Sequence, residues 1–365
     1  MIRMNNFAAE PAALRSAEAK AVARVLASGS FILGAEGEQF EKAWAEFCGE
    51  KFCIGTANGL EAIELGLRAL DIGQGDEVIT TPVTAIATIL AILHAGATPV
   101  FADVDPTTGL LNPESAERCL SPRTKAVLLV HLYGQIAEPE RWKHLCGANQ
   151  IHLLEDCAQA HGARWEHKAA GTFGSLGAFS FYPTKNLGAK GDAGAVITAS
   201  PDLATRLRML GNCGTVGRYE HREPGLNSRL DEVQAAILAV RLRWLDELNV
   251  RRRAIAGTYF SRIANPRVEL MALPSSPENH VYHLFVIRCA ERDRLSKFLA
   301  DEGIESLIHY PIPAHHQNFC ATSQRDPLGL LNSESHCDRC LSLPCHPHLS
   351  DDDAASVAAA INRFH

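Results

Sequence analysis

Apolar residues in the first fifty positions recur every three or four residues, a spacing that places side chains on one face of a helix. The segment from Ala12 to Ala27 is rich in Ala with periodic Leu and Val, and Gly29 follows as a stop signal. In the segment from Glu36 to Cys48, Phe40 and Trp44 are four positions apart. The pattern therefore predicts two amphipathic helices at the start of the chain.

From residue 51 onward, short apolar runs alternate with amphipathic segments of about ten residues. The predicted strands are Phe52–Gly55, Glu77–Thr80, Pro99–Ala102, Ala126–Val130 and His152–Leu154. The helices predicted between them are Gly59–Leu70, Thr84–Ala95, Pro113–Leu120 and Glu138–Cys146. Alternating strands and helices indicate βαβ units and a parallel sheet, and continuous apolar strands are typical of a sheet covered on both faces.

The alternation ends near residue 178. Ala178–Phe181 and Ala195–Thr198 are strand-like and enclose a polar loop rich in Gly. Arg229 to about Arg262 has the apolar spacing of one long helix, and Val281–Arg288 and Ser306–His309 resemble strands. A chain of 365 residues exceeds what one core usually holds. We therefore expect a large domain over residues 1–255 and a smaller α+β domain over residues 256–365.

Composition and charge exclude several functional classes. The formal net charge of −7 disfavours non-specific binding to nucleic acid, which depends on Lys and Arg neutralising phosphates. No apolar run reaches the roughly eighteen residues of a membrane span, and Met1–Glu10 lacks the pattern of a signal peptide. The eleven cysteines then indicate reduced thiols. We expect a cytoplasmic protein that binds neither nucleic acid nor membrane.

One group of cysteines resembles part of a zinc site. Two residues separate Cys337 from Cys340, and Cys345 precedes His346. Thiolates and imidazoles at such spacings bind zinc in many proteins. No second pair of this spacing accompanies the first, so the pattern favours ordinary packing and we expect no metal.

Two adjacent carboxylates end an apolar strand, where Leu153 and Leu154 lead directly into Glu155 and Asp156. Ligands of open α/β sheets bind at the carboxyl ends of the strands, which favours a functional site. A solvated acid that caps the next element is an equally good interpretation of these residues alone.

A lysine follows a strand end in an unusual context. Lys185 comes after Phe181, Tyr182 and the turn at Pro183, and a Gly-rich loop follows it. A lone Lys is usually a solvated surface charge. At a buried, fixed position, however, the pKa of the amine falls and the amine becomes nucleophilic. The glycines after it lack a Walker pattern, so the loop does not indicate an NTPase.

A small-residue turn, Gly55 to Gly59, joins a predicted strand to a predicted helix. Small residues let a phosphate approach the backbone, and the first amides of the helix point toward it. A plain connecting turn explains the same residues. The order of phosphate turn, strand-end acid and lysine is more specific than any one of the three.

In that order the chain resembles the DegT/DnrJ/StrS nucleotide-sugar aminotransferases, which depend on pyridoxal 5′-phosphate (PLP) and share the aspartate-aminotransferase fold. The motifs that carry the resemblance are Phe31–Gly34, Gly75–Ile79, Gly96–Phe101, His131–Gln135, Glu155–Gln159, Ser180–Gly188, Asn227–Glu232 and His309–Pro313. The family implies an α/β fold in which helices sandwich a mostly parallel seven-stranded sheet in the large domain.

The resemblance also implies roles for single residues. Lys185 matches the lysine that attaches PLP covalently and moves a proton between the substrate carbon and the cofactor. Asp156 matches the carboxylate that pairs with the pyridine nitrogen, and Gln159 matches a residue packed near the ring. Ser180, Asn58 and Gly59 match phosphate-binding positions.

Further matches concern the substrate and the assembly. Asn227 matches an Asn that reaches the phosphate of the partner subunit's cofactor, which implies a homodimer with shared active sites. His309, Tyr310 and His315 match a segment bordering the sugar pocket, although packing of the small domain also explains them. For Arg229 two interpretations stay open, a contact with the nucleotide phosphates and an anchor for the start of the long helix.

One position departs from the family pattern. Relatives usually have an aromatic residue after the Thr of a Pro-x-Thr segment, and its ring stacks on the cofactor. Here the residue after Thr84 is Ala85. Aromatic stacking on bases is worth ~1–3 kcal/mol in other systems, so we expect weaker positioning of the ring.

The resemblance implies transfer of an amino group, with L-glutamate as donor and pyridoxamine phosphate as intermediate, to a nucleotide-diphosphate-linked keto sugar. The product would serve the synthesis of lipopolysaccharide, O-antigen or antibiotic sugars. The His131–Gln135 motif resembles the version common among relatives that act on 3-keto sugars, which favours a 3-keto over a 4-keto sugar. A PLP-dependent sugar dehydratase is the alternative enzyme, but those relatives carry His in place of Lys185. A non-catalytic PLP-binding homologue is the third hypothesis.

Overall fold

The computed structural model describes residues 1–365 and contains twelve α-helices besides short 3₁₀ turns. The helices are α1 Ala12–Ser28, α2 Ala35–Cys48, α3 Gly59–Ala69, α4 Ile86–His94, α5 Pro113–Arg118, α6 Pro139–Asn149, α7 Pro201–Gly211, α8 Glu232–Leu242, α9 Leu245–Arg262, α10 Arg292–Asp301, α11 Leu331–Arg339 and α12 Asp351–Arg363. None of them is both long and apolar enough to cross a bilayer.

Fourteen strands form four sheets. The strands are β1 Phe52–Thr56, β2 Glu77–Thr80, β3 Thr98–Phe101, β4 Thr124–Val130, β5 His152–Asp156, β6 Arg164–Trp165, β7 Lys168–Ala169, β8 Leu176–Ser180, β9 Gly194–Thr198, β10 Thr215–Gly217, β11 Glu220–His221, β12 Val268–Leu270, β13 Phe285–Cys289 and β14 Cys340–Leu343.

The central sheet has seven strands in the order β1-β9-β8-β5-β4-β2-β3. Neighbours pair in parallel from β8 through β3, whereas β9 runs antiparallel to both of its neighbours. The expected mostly parallel seven-stranded sheet is therefore confirmed. Strand β5 lies near the middle, and Asp156 at its carboxyl end pairs with Val130 on one side and Ala178 on the other.

Both faces of this sheet are buried, which explains why its strands are continuously apolar. Phe179 packs with Phe40 and Trp44 of α2 on one face. Ala178, the preceding residue of β8, packs with Leu65 of α3 on the other face. Because neighbouring strand residues point to opposite faces, each strand contributes to two layers of the core. Fully burying one such large side chain stabilises the fold by about 1.5–3 kcal/mol.

The single long helix expected from Arg229 to Arg262 is wrong. The residues before Glu232 are not helical, and two helices, α8 and α9, are separated by Arg243 and Trp244. Helix α8 packs against α1 and α2, whereas α9 packs against α12. Neither Gly nor Pro marks the break, so the change in direction follows from these different packing partners.

The C-terminal part has a sheet of its own, in the order β12-β13-β14. The strand expected at Ser306–His309 is absent, and only Leu307 forms an isolated bridge, to Ser342 of β14. The chain start packs here too, since Ile2 pairs with Ile304. The proposed domain boundary at residue 255 remains a prediction.

The cysteines considered for zinc lie in this C-terminal part and are buried. The Cys340 thiol points at the carbonyl of His309 at 3.6 Å, and the Cys345 thiol points at the carbonyl of Arg252 at 3.7 Å. Burial raises the pKa of both thiols, to about 11 and about 12. Such thiols behave as small packed side chains rather than as reactive groups.

Candidate active site

Three segments of the large sheet converge at the carboxyl end of β5. They are the end of β5 itself, the loop that follows β8, and the turn between β1 and α3. Parallel strands bring their carboxyl ends to the same edge of a sheet, where α/β proteins bind ligands. Asp156, Lys185 and Gly59 are delivered by these three segments, in that order.

The turn before α3 forms a narrow cradle against the end of β8. A Cβ atom on Gly59 would lie 2.5 Å from the Cβ of Ser180, so only glycine allows this approach. Asn58 caps the helix, and its Oδ1 accepts a hydrogen bond from the Glu61 amide at 2.9 Å. Free amides at a helix start attract anions, so the cradle suits a phosphate.

Lys185 is held at a defined place by the turn that precedes it. Its backbone amide donates to the Tyr182 carbonyl at 2.8 Å, and its side chain is partly buried. Burial lowers the pKa of the Lys185 amine to about 8, and the negative charge of Asp156 opposes this shift. The amine is therefore neutral far more often near pH 7 than an ordinary lysine side chain, as a nucleophilic lysine requires.

Asp156 is a buried carboxylate, 5% exposed, that accepts two hydrogen bonds. Its Oδ1 accepts from the Ala158 amide at 3.1 Å, and its Oδ2 accepts from the Thr88 hydroxyl at 2.8 Å. Two carboxylate oxygens have about four acceptor positions, so capacity remains for a further donor.

Gln159 links the sheet edge to the C-terminal part of the chain. Its Oε1 accepts from the Tyr133 amide at 2.6 Å, and its Nε2 donates to the Tyr310 hydroxyl at 3.1 Å. Burial and, to a smaller extent, the charge of Asp156 raise the pKa of Tyr310. The charge of Asp156 therefore acts on the Tyr310 hydroxyl, which agrees with the expected position of Tyr310 at the border of the same pocket.

The charge of Lys185 acts on three imidazoles, and only one of them, His309, belongs to the predicted site. Burial, with a contribution from Lys185, lowers the pKa of His309 to about 4 and that of His161 to about 3. The same two causes, burial first, lower the pKa of His283, whose Nδ1 lies 3.2 Å from Asn186 Oδ1. These rings are neutral at physiological pH, so the charged group that acts on Lys185 is Asp156 and not an imidazole.

Sequence reasoning missed His161, His283 and Thr88 as members of this group. His161 lies five residues after Asp156, in the same segment, and that spacing was an available signal. Thr88 is the only strongly polar side chain in the apolar first two turns of α4. Nothing in the local sequence marks His283.

Asn227, Arg229 and His315 are not brought to this group by the single chain. Asn227 is exposed, and its Oδ1 accepts from the Arg229 guanidinium, which also donates to Asn212 at 2.9 Å. Arg229 lines a cleft of about 780 Å³ beside α7, which also borders Gly55 at the start of the turn before α3. His315 Nε2 lies 3.1 Å from a carboxylate oxygen of Glu334.

Ala85 is the residue before the first turn of α4, and its side chain makes no capping bond. It is partly exposed, next to the buried Thr84 and close in sequence to Thr88. Thr88, three residues after Ala85, bonds directly to the Asp156 carboxylate. The departure from the family pattern at Ala85 therefore lies near this carboxylate.

The donors and acceptors of the site fit PLP. The molecule carries a phosphate, a pyridine nitrogen and an aldehyde. The Gly59–Ser180 cradle admits a small anion, Asp156 has acceptor capacity for a protonated nitrogen, and Lys185 has an amine suited to the aldehyde. The narrow approach at Gly59 is the structural observation that makes this fit specific.

Comparisons with known proteins agree with this chemistry. The model of the DegT/DnrJ/EryC1/StrS aminotransferase family matches residues 12–362. The chain is 46% identical to the dTDP-3-amino-3,6-dideoxy-alpha-D-galactopyranose transaminase of Aneurinibacillus thermoaerophilus, over 94% of both chains. It is 41% identical to the UDP-N-acetyl-3-dehydro-alpha-D-glucosamine 3-aminotransferase of Acidithiobacillus ferrooxidans, over 99% of this chain and 97% of the relative.

A solved structure gives the same result. The X-ray structure of S. venezuelae DesV in complex with a ketimine intermediate superimposes with a TM-score of 0.94 and 42% identity. The match covers 99% of this chain and 97% of that chain. The similarity is therefore a property of the whole fold and not of one motif.

Proposed function

Because the chain belongs to the DegT/DnrJ/EryC1/StrS aminotransferase family, we propose that it is a PLP-dependent sugar aminotransferase. It moves an amino group from L-glutamate to the keto carbon of a nucleotide-diphosphate-linked deoxy sugar. The observation that carries this proposal is that the Lys185 amine, whose pKa burial lowers to about 8, lies within the electrostatic influence of Asp156, at the sheet edge that also carries the Gly59–Ser180 cradle.

The proposed acceptor is a 3-keto sugar. The named relatives from Aneurinibacillus and Acidithiobacillus both act at the 3 position, one on a dTDP-linked and the other on a UDP-linked sugar. Their identities of 46% and 41% over nearly the full chain support a shared reaction class. They differ in the nucleotide, so the proposal names the diphosphate linkage and not the base.

Each residue has a stated task in this proposal. When bound, PLP supplies a carbonyl that bonds to amines and a ring that accepts electrons. Asp156 holds the proton on the ring nitrogen through its negative charge. Lys185 Nζ would take a proton from the substrate carbon as a base and would then deliver it to the cofactor as an acid. Burial lowers the pKa of the Lys185 amine, so part of the amine is neutral and able to bond to the carbonyl of the cofactor.

The phosphate and sugar ends have separate tasks. Asn58, Gly59 and Ser180 hold the phosphate, because the α3 amides and the Ser180 hydroxyl face one cradle. Gln159 and Tyr310 border the ring and the sugar, joined by their hydrogen bond. His309, beside Lys185, completes the sugar border.

We also propose that two copies share their active sites. Asn227 is exposed on the single chain, and consecutive apolar side chains beside it are exposed as well, namely Phe31, Ile32 and Leu33 at 49%, 42% and 60%. Ile32 pairs with Asp231, which places this patch next to the Asn227 segment. Apolar patches of this kind mark association surfaces, and Asn227 then reaches the cofactor of the other copy. His315 and Arg229 would border the sugar nucleotide in that assembly.

The proposed location is the cytoplasm. All eleven cysteines are unpaired, which suits the cytoplasm.

The decisive test uses colour and mass. The purified protein with PLP should be yellow, L-glutamate should bleach the visible band, and Lys185→Ala should abolish the covalent linkage. Lys143→Ala, at an exposed position of α6, is the control that should behave as wild type. A screen of 3-keto and 4-keto nucleotide sugars, read by mass, then identifies the acceptor.

Two outcomes would contradict the proposal. A wild-type protein that takes up no PLP would refute the cofactor assignment. Uptake of PLP without bleaching by any amino acid would indicate a non-catalytic homologue. Loss of water from the sugar without gain of nitrogen would instead indicate the dehydratase.

A further inference from the structure

A chain of two buried hydroxyls ends on the Asp156 carboxylate. Thr84 Oγ1 lies 2.8 Å from Thr88 Oγ1, and Thr88 Oγ1 lies 2.8 Å from Asp156 Oδ2. All three side chains are almost fully removed from solvent, at 5%, 1% and 5% exposure. Both distances are those of well-formed O–H···O bonds.

The donors in this chain can be assigned from chemistry. An ionised carboxylate only accepts hydrogen bonds, so the Thr88 hydroxyl donates its proton to Asp156. The Thr88 oxygen is then free to accept, and the Thr84 hydroxyl donates to it. In a buried chain each bond polarises the next, so Thr84 strengthens the bond that Thr88 makes.

The position of Thr88 in α4 shows that its hydroxyl serves this contact. Thr88 is in the first turn of a helix whose first two turns are otherwise apolar and whose Ile89 and Ile92 enter the core. A threonine in a helix commonly bonds a carbonyl of its own preceding turn. Here the hydroxyl instead bonds across to the end of β5.

Few other groups control the orientation of this carboxylate. Its second oxygen is bonded only by the Ala158 amide, at 3.1 Å. The titratable groups that interact with Asp156 are the Lys185 amine, the Tyr310 hydroxyl and the buried Cys157 thiol. Thr88 is therefore the single side chain hydrogen-bonded to Asp156.

We infer that Thr88, supported by Thr84, is a positioning residue that fixes the Asp156 carboxylate toward the ring nitrogen of the cofactor. This inference rests on the proposed function, since it assumes that PLP binds at this site. In this role the Thr88–Asp156 bond helps to orient the ring of the cofactor, at a site where Ala85 supplies no aromatic ring to stack on it. Thr88 acts through Asp156 and touches neither substrate nor cofactor in this role.

The experiment compares Thr88→Val with Thr88→Ser in the full-length protein. Valine keeps the shape but removes the hydroxyl, whereas serine keeps the hydroxyl. The readouts are the PLP dissociation constant from absorbance titration and the pH midpoint of the visible band. A lost bond to a charged group changes affinity by about tenfold or more, so Thr88→Val should weaken PLP binding by about tenfold.

The pH midpoint reports the charge on the ring. If the carboxylate is less well oriented, the ring nitrogen holds its proton less firmly and places less positive charge beside the lysine nitrogen. The midpoint should therefore rise in Thr88→Val. Thr88→Ser should restore both the affinity and the midpoint, and Thr84→Val should give a smaller change in the same direction.

Thr80→Val is the matched control. Thr80 is fully buried, and its hydroxyl donates to the Leu128 carbonyl at 2.8 Å, so the same substitution removes one buried bond away from Asp156. It should lower the melting temperature but leave the PLP affinity and the pH midpoint unchanged.

Two results overturn the inference. In the first, Thr88→Val lowers only the melting temperature, as Thr80→Val does, with unchanged PLP affinity and midpoint. In the second, Thr88→Ser is as defective as Thr88→Val. Failure of the proposed function is distinguishable, because in that case the wild-type protein itself would form no visible band with PLP.

Discussion

Glu155 and Asp156 are adjacent carboxylates at the end of one strand, yet they lie in two different kinds of pocket. Glu155 is fully buried and accepts backbone hydrogen bonds from Gly171, Phe173 and Gly174 at 2.7–2.9 Å. A fourth partner, His131 Nε2, lies 2.8 Å away. Asp156 accepts only two bonds, one on each oxygen, and retains acceptor capacity.

The His131 contact shows how completely the first pocket is satisfied. His131 Nδ1 accepts a hydrogen bond from the Ala137 amide at 3.3 Å, so the ring proton is on Nε2. The Nε2–H therefore donates to Glu155, and the acceptor positions of that carboxylate are filled. Glu155 fastens the loop after β7 to the sheet.

The difference teaches that burial of an acid does not by itself indicate function. The pleat of β5 sends neighbouring side chains to opposite faces, with Leu153 in one core cluster and Leu154 in another. Glu155 points to the same face as Leu153 and anchors a loop. Asp156 points to the same face as Leu154, and its charge acts on Lys185. The number of unused acceptor positions separates the two roles.

The largest expected effect concerns chemistry at Asp156. Asp156→Asn removes the charge but keeps the shape, and both contacts survive if the amide oxygen accepts from the Ala158 N–H and the amide nitrogen donates to the Thr88 hydroxyl oxygen. We expect the rate of bleaching by L-glutamate to fall roughly a thousandfold, since removing one preorganised electrostatic group has effects of this size. Rapid-mixing absorbance measures the rate, and thermal unfolding should show a nearly unchanged midpoint.

The neighbouring change, Glu155→Gln, should give the opposite result. The new amide group faces backbone N–H donors, so one or two buried donors lose their acceptor. We expect a loss of about 3 kcal/mol in the free energy of unfolding, since each buried unsatisfied group costs about 1–3 kcal/mol. Urea unfolding measures this loss. A stable Glu155→Gln protein with lost activity would reverse the assignment of the two pockets.

The strand–helix alternation up to β5 was predictable from the sequence because its signals are local. Leu153 and Leu154 mark the strand, and the acids directly after them mark its end. The division of the chain between α8 and α9 was not predictable, since the bend depends on helices distant in sequence. Helix α7 also went unassigned, although Ser200 caps it and Pro201 starts it, which is a readable signal.

The candidate site was predictable to a similar degree. Asp156, Lys185 and Gly59 lie in motifs whose order is specific, and they remain predictions for function. Thr88 and His283 could not be found, because each is one polar residue whose partner lies far along the chain. Which of two adjacent acids is saturated depends on Gly171 to Gly174 and on His131, and no local pattern encodes that contact.

The smallest expected effect is a shift in the pH dependence of PLP capture. Capture needs the neutral Lys185 amine, whose pKa is about 8, so the capture rate of the apo protein should rise with pH through a midpoint near 8 and level off about one unit higher. Asp156 raises this pKa, so Asp156→Asn should move the midpoint down, by less than about one pH unit.

The neighbouring histidines and Glu155 should not disturb this measurement. The charge of Lys185 acts on His161, His283 and His309, but their lowered pKa values keep them neutral over this range. Glu155→Gln should leave the midpoint in place, because Glu155 makes no contribution to the Lys185 amine. Stopped-flow absorbance between pH 6 and about 10 measures both variants, and equal shifts in the two would mean that the pockets are not electrostatically separate.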